Sequence, residues 1–124
     1  MIKIFSSVIN SFKFAFSGIR FALKTQKNLR IHILVALIVF ILAILLDVTN
    51  VELSLIILTI TTVIVVEVIN TSIETIVDLV SPDYQPLAKQ AKDLGAASVL
   101  IAAIGAIVVG IVILGDDLFT KLFQ

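Results

Sequence analysis

Residues 53–80 read LSLIILTITTVIVVEVINTSIETIVDLV. The first half is the apolar, uncharged run of a membrane-spanning helix. The second half carries Glu67, Asn70, Glu74 and Asp78 at helical spacing. At about 100° per residue these four side chains share one face and form a polar stripe. Ionisable groups are costly at membrane depth, so carboxylates in such a helix mark a functional site by default. On a rise of about 1.5 Å per residue, Glu67 and Glu74 lie about 10 Å apart along the axis, room for a small charged ligand with its metal.

Composition places the rest of the chain around this helix. Of 124 residues, 60% are hydrophobic, mean hydropathy is +1.20, and Cys and Trp are absent. A soluble domain of this size carries about 45–50% apolar residues, so the excess is for lipid. Without Cys there is no disulfide and no thiolate metal or redox site. The net charge of zero conceals an asymmetry, because residues 1–30 hold six of the nine basic residues and no acid.

Within that segment Phe5, Val8 or Ile9, Phe12, Phe16, Ile19 and Leu23 recur in steps of three and four, which draws an apolar stripe along one helix. Lys3, Lys13 and Arg20 lie between them. Residues 1–30 are therefore expected to form a basic amphipathic helix in the interface of an anionic leaflet; a core-facing helix of a soluble domain is the alternative. Spans are expected at about 31–48, 53–80 and 92–115, all within one membrane domain of residues 1–124. Ser81-Pro82-Asp83 ends the second span, and Pro86 keeps the linker out of helix. A secretory signal peptide is disfavoured for residues 1–46, since the amphipathic start is long and no small-residue cleavage site follows the apolar run.

Lys and Arg flank the first span and recur in the 81–93 loop as Lys89 and Lys92, while the 47–52 loop has only Asp47 and Glu52 as charges. The positive-inside rule thus puts the N-terminus and the 81–93 loop in the cytoplasm, with the polar stripe at the cytoplasmic interface. In the third span Ser98, Ala102, Ala106 and Gly110 follow at four-residue spacing. Small residues let helices approach in lipid, so this span is expected in the middle of a bundle. Three helices of one chain are a poor screen for the stripe, which makes a homo-oligomer the expected state.

The residue types suggest chemistry. Glu67, preceded by Val63 to Val66, is desolvated and suits a general base. Glu74 suits Mg²⁺, which takes one or two carboxylates together with substrate phosphate oxygens. Asn70 can donate and accept. Lys92, beside Asp93, offers a cation for a transferring phosphoryl group. The five glycines form neither G-x-x-x-x-G-K-[ST] nor G-x-G-x-x-G. No nucleic-acid partner is expected. On these grounds alone a small proton or cation conductor fits as well as an enzyme, His32 reads as an interfacial anchor, and Tyr84 as an aromatic belt residue.

The motifs narrow this. Glu67-x-x-Asn70-Thr71-Ser72-Ile73-Glu74-x-x-x-Asp78, then Ser81 to Tyr84 and Ala91-Lys92-Asp93-Leu94-Gly95-Ala96-Ala97, resemble the signature of the bacterial membrane diacylglycerol kinase and undecaprenol kinase family over nearly the whole chain. The resemblance implies an all-α integral membrane protein of the bacterial plasma membrane. Its surface helix and three transmembrane helices would assemble as a homotrimer with sites shared between protomers. The activity implied is ATP-dependent phosphorylation of a lipid alcohol. It implies Glu67 as the base for the lipid hydroxyl, Asn70 as its polar partner and Glu74 as metal ligand. Lys92 would lie on the phosphates, Asp93 towards the nucleoside, Tyr84 near the nucleotide, and Gly95 would allow close approach. Where proteobacterial diacylglycerol kinases carry a metal-binding Glu, this chain has Gln26, whose amide oxygen brings no charge to Mg²⁺. The run Thr25 to His32 resembles the Gram-positive and related branch, which favours undecaprenol as substrate, with diacylglycerol the alternative.

Overall fold

The computed structural model describes residues 2–123, with side-chain surroundings for 7–115, Leu118 and Phe119. Its elements are four helices in chain order, α1 (Ile2–Thr25), α2 (Lys27–Leu46), α3 (Asn50–Val80) and α4 (Pro86–Phe123). Three of them, Lys27–Leu46, Asn50–Val80 and Pro86–Gly115, are long and apolar enough to cross a membrane. Short connections at 47–49 and 81–85 make consecutive spanning helices antiparallel neighbours.

Each connection has a local cause. At the end of α2, Asp47 adopts the left-handed conformation (φ 60°, ψ 43°). Its N–H bonds the Ile44 carbonyl at 3.2 Å and the Val48 N–H bonds that of Ala43 at 3.2 Å, the paired closure of a Schellman motif. Asp is among the few non-glycine residues that enter this region readily. Thr49 then caps α3 through a capping box: its N–H donates to Glu52 Oε2 at 2.8 Å and its hydroxyl accepts from the Glu52 N–H at 3.3 Å. Pro82 excludes Ser81 from helical geometry (φ −138°, ψ 71°) and ends α3. Pro86, with φ preset, occupies the first position of α4.

The boundary between α1 and α2 has no such punctuation. Gln26 is extended (φ −97°, ψ 113°) and sits at the N-cap of α2 without capping it. Ala22 and Leu29, each 2% exposed, bury the two sides of this corner. The helix expected over residues 1–30 therefore ends at Thr25, and the helix that carries the first expected span begins at Lys27. The second begins at Asn50 rather than 53, owing to the Thr49 cap. The third helix starts at Pro86 and runs unbroken to Phe123. The stripe of α1 from Val8 and Ile9 through Phe12, Phe16, Ile19 and Leu23 is exposed. It is not buried against the chain's own helices, as a soluble core-facing helix would be, and it suits an interfacial position.

Packing is strongest between α3 and α4, with α2 against both and α1 against α2 and α3. Near the 47–49 connection, Ala43, Leu46, Ile56, Ile113 and Leu114 form an aliphatic knot, flanked by Val39, Leu42, Val48, Leu53, Ile60 and Val109. Within one chain the small-residue stripe of α4 is only partly covered. Ser98 is exposed, Ala102, Ala106 and Gly110 are half-buried, and open space lies where a side chain at Gly105 or Gly110 would project. Ala106 and Gly110 instead line an aliphatic cleft of about 590 Å³ between α2, α3 and α4. Only at Gly95 does the absence of a side chain bring α4 hard against a neighbour among these glycines.

Candidate active site

At the opposite end from the aliphatic knot, the polar stripe of α3 meets α4 and the α1–α2 corner. Glu67 is 2% exposed, Asn70 6% and Thr71 4%. This burial is achieved inside one chain, whereas Glu74 is half-buried and Asp78 exposed. Glu67 Oε2 and Asn70 Oδ1 are buried without hydrogen-bond partners. An unpaired buried acceptor costs about 1–3 kcal/mol, more when charged, so each such atom in a native fold calls for a bound water, ion or ligand, or for a catalytic role.

Glu74, one turn beyond Asn70, is half-buried and held at both oxygens. Asn70 Nδ2 donates to Oε1 at 3.2 Å, and Gln26 Nε2 donates to Oε2 at 3.4 Å. This second bond accounts for the uncapped α2: the amide of Gln26 reaches across to α3 instead of back to its own helix. Gly95 of α4 fixes the other side of Asn70, because a β-carbon there would collide with Asn70 Oδ1. Thr71 turns its hydroxyl to the Glu67 carbonyl at 3.0 Å and thereby buries without an unsatisfied group.

Glu67, Asn70 and Glu74 line a cavity of about 330 Å³ together with Asn28 and His32, its apolar wall being Ile31 and, on α4, Ala96, Val99, Leu100 and Ala103. Ile31, His32 and Ala103 border both this cavity and the aliphatic cleft. His32, read from the sequence as an interfacial anchor, is half-buried at that junction and within electrostatic reach of Glu67. Asn28 was not singled out either. The spacing of four in Asn28-Leu-Arg-Ile-His32, which puts both on one helical face, was the available signal.

Other expected residues lie outside the cavity, at the same end of the bundle. Lys92 Nζ pairs with Asp78 Oδ1 at 2.5 Å across α3 and α4. Lys89 Nζ pairs with Asp93 Oδ2 at 2.5 Å within α4. Tyr84 is exposed in the 81–85 connection. The structure thus brings Gln26, Glu67, Asn70, Glu74 and Gly95 together and leaves Lys92, Asp93 and Tyr84 on the adjoining surface.

The donor set also tests the fit of a hard cation. Among the described residues no group of three or more His, Cys, Asp or Glu side chains could hold a metal ion. What is present is one accessible carboxylate, Glu74, with the Gln26 amide beside it. That set cannot cage an ion alone, but it fits Mg²⁺, which keeps several waters and completes its shell with phosphate oxygens.

Sequence comparison agrees with the geometry. Residues 13–114 match the prokaryotic diacylglycerol kinase family. A diacylglycerol kinase of Synechocystis is 40% identical over 105 residues, covering 84% of this chain and 60% of that protein. A diacylglycerol kinase of Escherichia coli K12 is 32% identical over 110 residues, 89% of this chain and 90% of the other. An undecaprenol kinase of Bacillus subtilis is 35% identical over 103 residues, 83% of this chain and 84% of the other. The chain thus spans less than two thirds of the Synechocystis protein and nearly all of the Escherichia coli one.

Proposed function

Because the chain belongs to the prokaryotic diacylglycerol kinase family, we propose that it transfers the γ-phosphoryl group of ATP to the hydroxyl of a lipid alcohol, undecaprenol in preference to diacylglycerol. The observation that carries this reading is the buried, unpartnered Glu67 Oε2 in a polar cavity that joins an aliphatic cleft. A lipid alcohol is the ligand with matching halves, an O–H donor for the carboxylate and a chain for the cleft. A cation conductor would need polar groups through the bundle, whereas the far end is closed by the knot around Ala43, Ile56 and Leu114.

In the proposed reaction the lipid oxygen bonds to the γ-phosphorus while the bond from that phosphorus to the leaving ADP oxygen breaks. The hydroxyl proton goes to Glu67. Phosphoryl transfer asks mostly for positioning and charge neutralisation, and the remaining residues are assigned to those tasks. Glu74 and Gln26 would hold Mg²⁺, which when bound neutralises phosphate charge. Asn70 orients Glu74. Lys92 leaves Asp78 for the phosphates, with Asp93 and Tyr84 towards the nucleoside and Gly95 allowing close approach. The basic N-terminal segment and the Lys89 and Lys92 end support a cytoplasmic N-terminus. A homotrimer with shared sites follows from the family resemblance. The undecaprenol preference is supported by the Thr25 to His32 run and the Bacillus relative.

The test is transfer of radiolabelled γ-phosphate by purified protein in mixed micelles containing either lipid. Faster labelling of undecaprenol is expected. Faster labelling of diacylglycerol would replace the substrate and keep the mechanism, and labelling of neither would overturn the kinase reading.

Gly95→Ala should disturb the same site from outside the reacting groups. Its β-carbon forces the Asn70 amide away and removes the support of Glu74. A hydrogen bond to a charged group contributes about 1.5–3 kcal/mol, so a loss of about tenfold or more in kcat/KM for ATP is expected. Helix content by circular dichroism should be unchanged. Full turnover in this variant would show that the Asn70 contact with Gly95 is not used.

A further inference from the structure

We infer that His32 anchors the hydroxyl end of the lipid alcohol at the junction between the polar cavity and the aliphatic cleft, fixing where along the chain the reacting oxygen stops. The inference rests on the lipid-kinase reading and assigns a residue that neither the polar stripe nor the metal set includes. Three residues border both cavities, Ile31, His32 and Ala103, and His32 alone of the three has polar side-chain atoms.

Hydrogen-bond accounting points to the same residue. An alcohol drawn out of the interface loses its water partners. Its O–H can donate to Glu67 Oε2, but the oxygen is also an acceptor, and leaving it unmatched in a buried site is costly. Asn70 Nδ2 and Gln26 Nε2 each give one N–H to Glu74, and of the other two donors on the cavity wall, Asn28 and His32, only His32 also borders the cleft. The imidazole of His32 makes no hydrogen bond among the described residues, and a neutral imidazole always retains one N–H. It lines the same cavity as Glu67, so a hydroxyl held in that cavity can donate to one and accept from the other. The cleft beyond is aliphatic apart from Thr59. It holds a chain but gives no register along its length, and the polar anchor supplies that register.

The anchor acts on orientation more than on binding, which the chain dominates. His32→Leu, close in size and without a donor, is therefore expected to lower kcat about tenfold or more, as expected for lost orientation, with the lipid KM and the ATP KM within about twofold. His32→Gln, which restores an N–H, should recover most of the loss. The measurement is the kcat and KM split for undecaprenol and diacylglycerol in mixed micelles with radiolabelled ATP. A purely structural role would shift the ATP KM as well and leave His32→Gln no better than His32→Leu. Either that pattern, or a His32→Leu kcat within twofold of wild type, overturns the inference while leaving the kinase reading intact. A wild-type protein that labels neither alcohol overturns the kinase reading and the inference with it.

Discussion

Glu67→Gln is expected to reduce turnover by about 10²–10⁴-fold, the contribution of a positioned general base, while ATP binding stays near wild type. Glutamine has the shape of glutamate and keeps an oxygen, so it can still touch the lipid hydroxyl, but it cannot accept the proton. The interaction lost belongs to the transition state, and kcat and kcat/KM should fall together. Stability should move the other way or not at all. Glu67 is buried with Oε2 unpaired, and replacing an uncompensated buried carboxylate by a neutral amide removes a desolvation cost. An inactive protein with an unchanged or raised unfolding midpoint in detergent is therefore the expected phenotype. Retention of a tenth of the wild-type rate would rule Glu67 out as the base.

Glu74→Gln should act on the metal rather than on the proton. The carboxylate accepts from Asn70 Nδ2 on one oxygen and from Gln26 Nε2 on the other. An amide at position 74 offers a single acceptor, so one of these bonds is lost along with the charge. Gln26 beside it is neutral, so no second carboxylate takes over. The Mg²⁺ concentration needed for half-maximal ATP binding is expected to rise at least about 10–100-fold, the range for losing only a ligand's outer-shell partner, with kcat/KM for ATP falling in parallel. Calorimetric titration of ATP at several Mg²⁺ concentrations reads this without reference to turnover. An unchanged Mg²⁺ requirement would remove Glu74 from the metal site.

The contrast between these two carboxylates was partly readable from residues 53–80. Their spacing put them on one face, and the apolar residues before Glu67 placed it deeper than Glu74. Their different surroundings were not readable. Glu67 is buried where α3 and α4 lie together, with Gly95 against Asn70 one turn on and Val99 buried beside the same cavity. Glu74 lies level with the α1–α2 corner, where Gln26 reaches it. The pairing of Lys92 with Asp78 is of the same kind: each charge was visible, but their contact depends on how α4 is rotated against α3.

What the sequence by itself determined was everything with a local cause. Apolar runs set the spanning helices, Pro82 and Pro86 set the break before α4, Thr49 with Glu52 supplies the chemistry that starts α3, and helical period puts Glu67, Asn70, Glu74 and Asp78 on one face. What only the tertiary structure decided was which faces meet. Lipid is as apolar as the side chains it bathes, so hydrophobicity does not say which helix lies against which; close packing and polar contacts do. The α1–α2 corner falls at Gln26, a residue with no intrinsic reason to break a helix, where its side chain reaches Glu74. For the same reason the place of His32, bordering both a polar cavity and an aliphatic cleft, exists only once three helices are side by side.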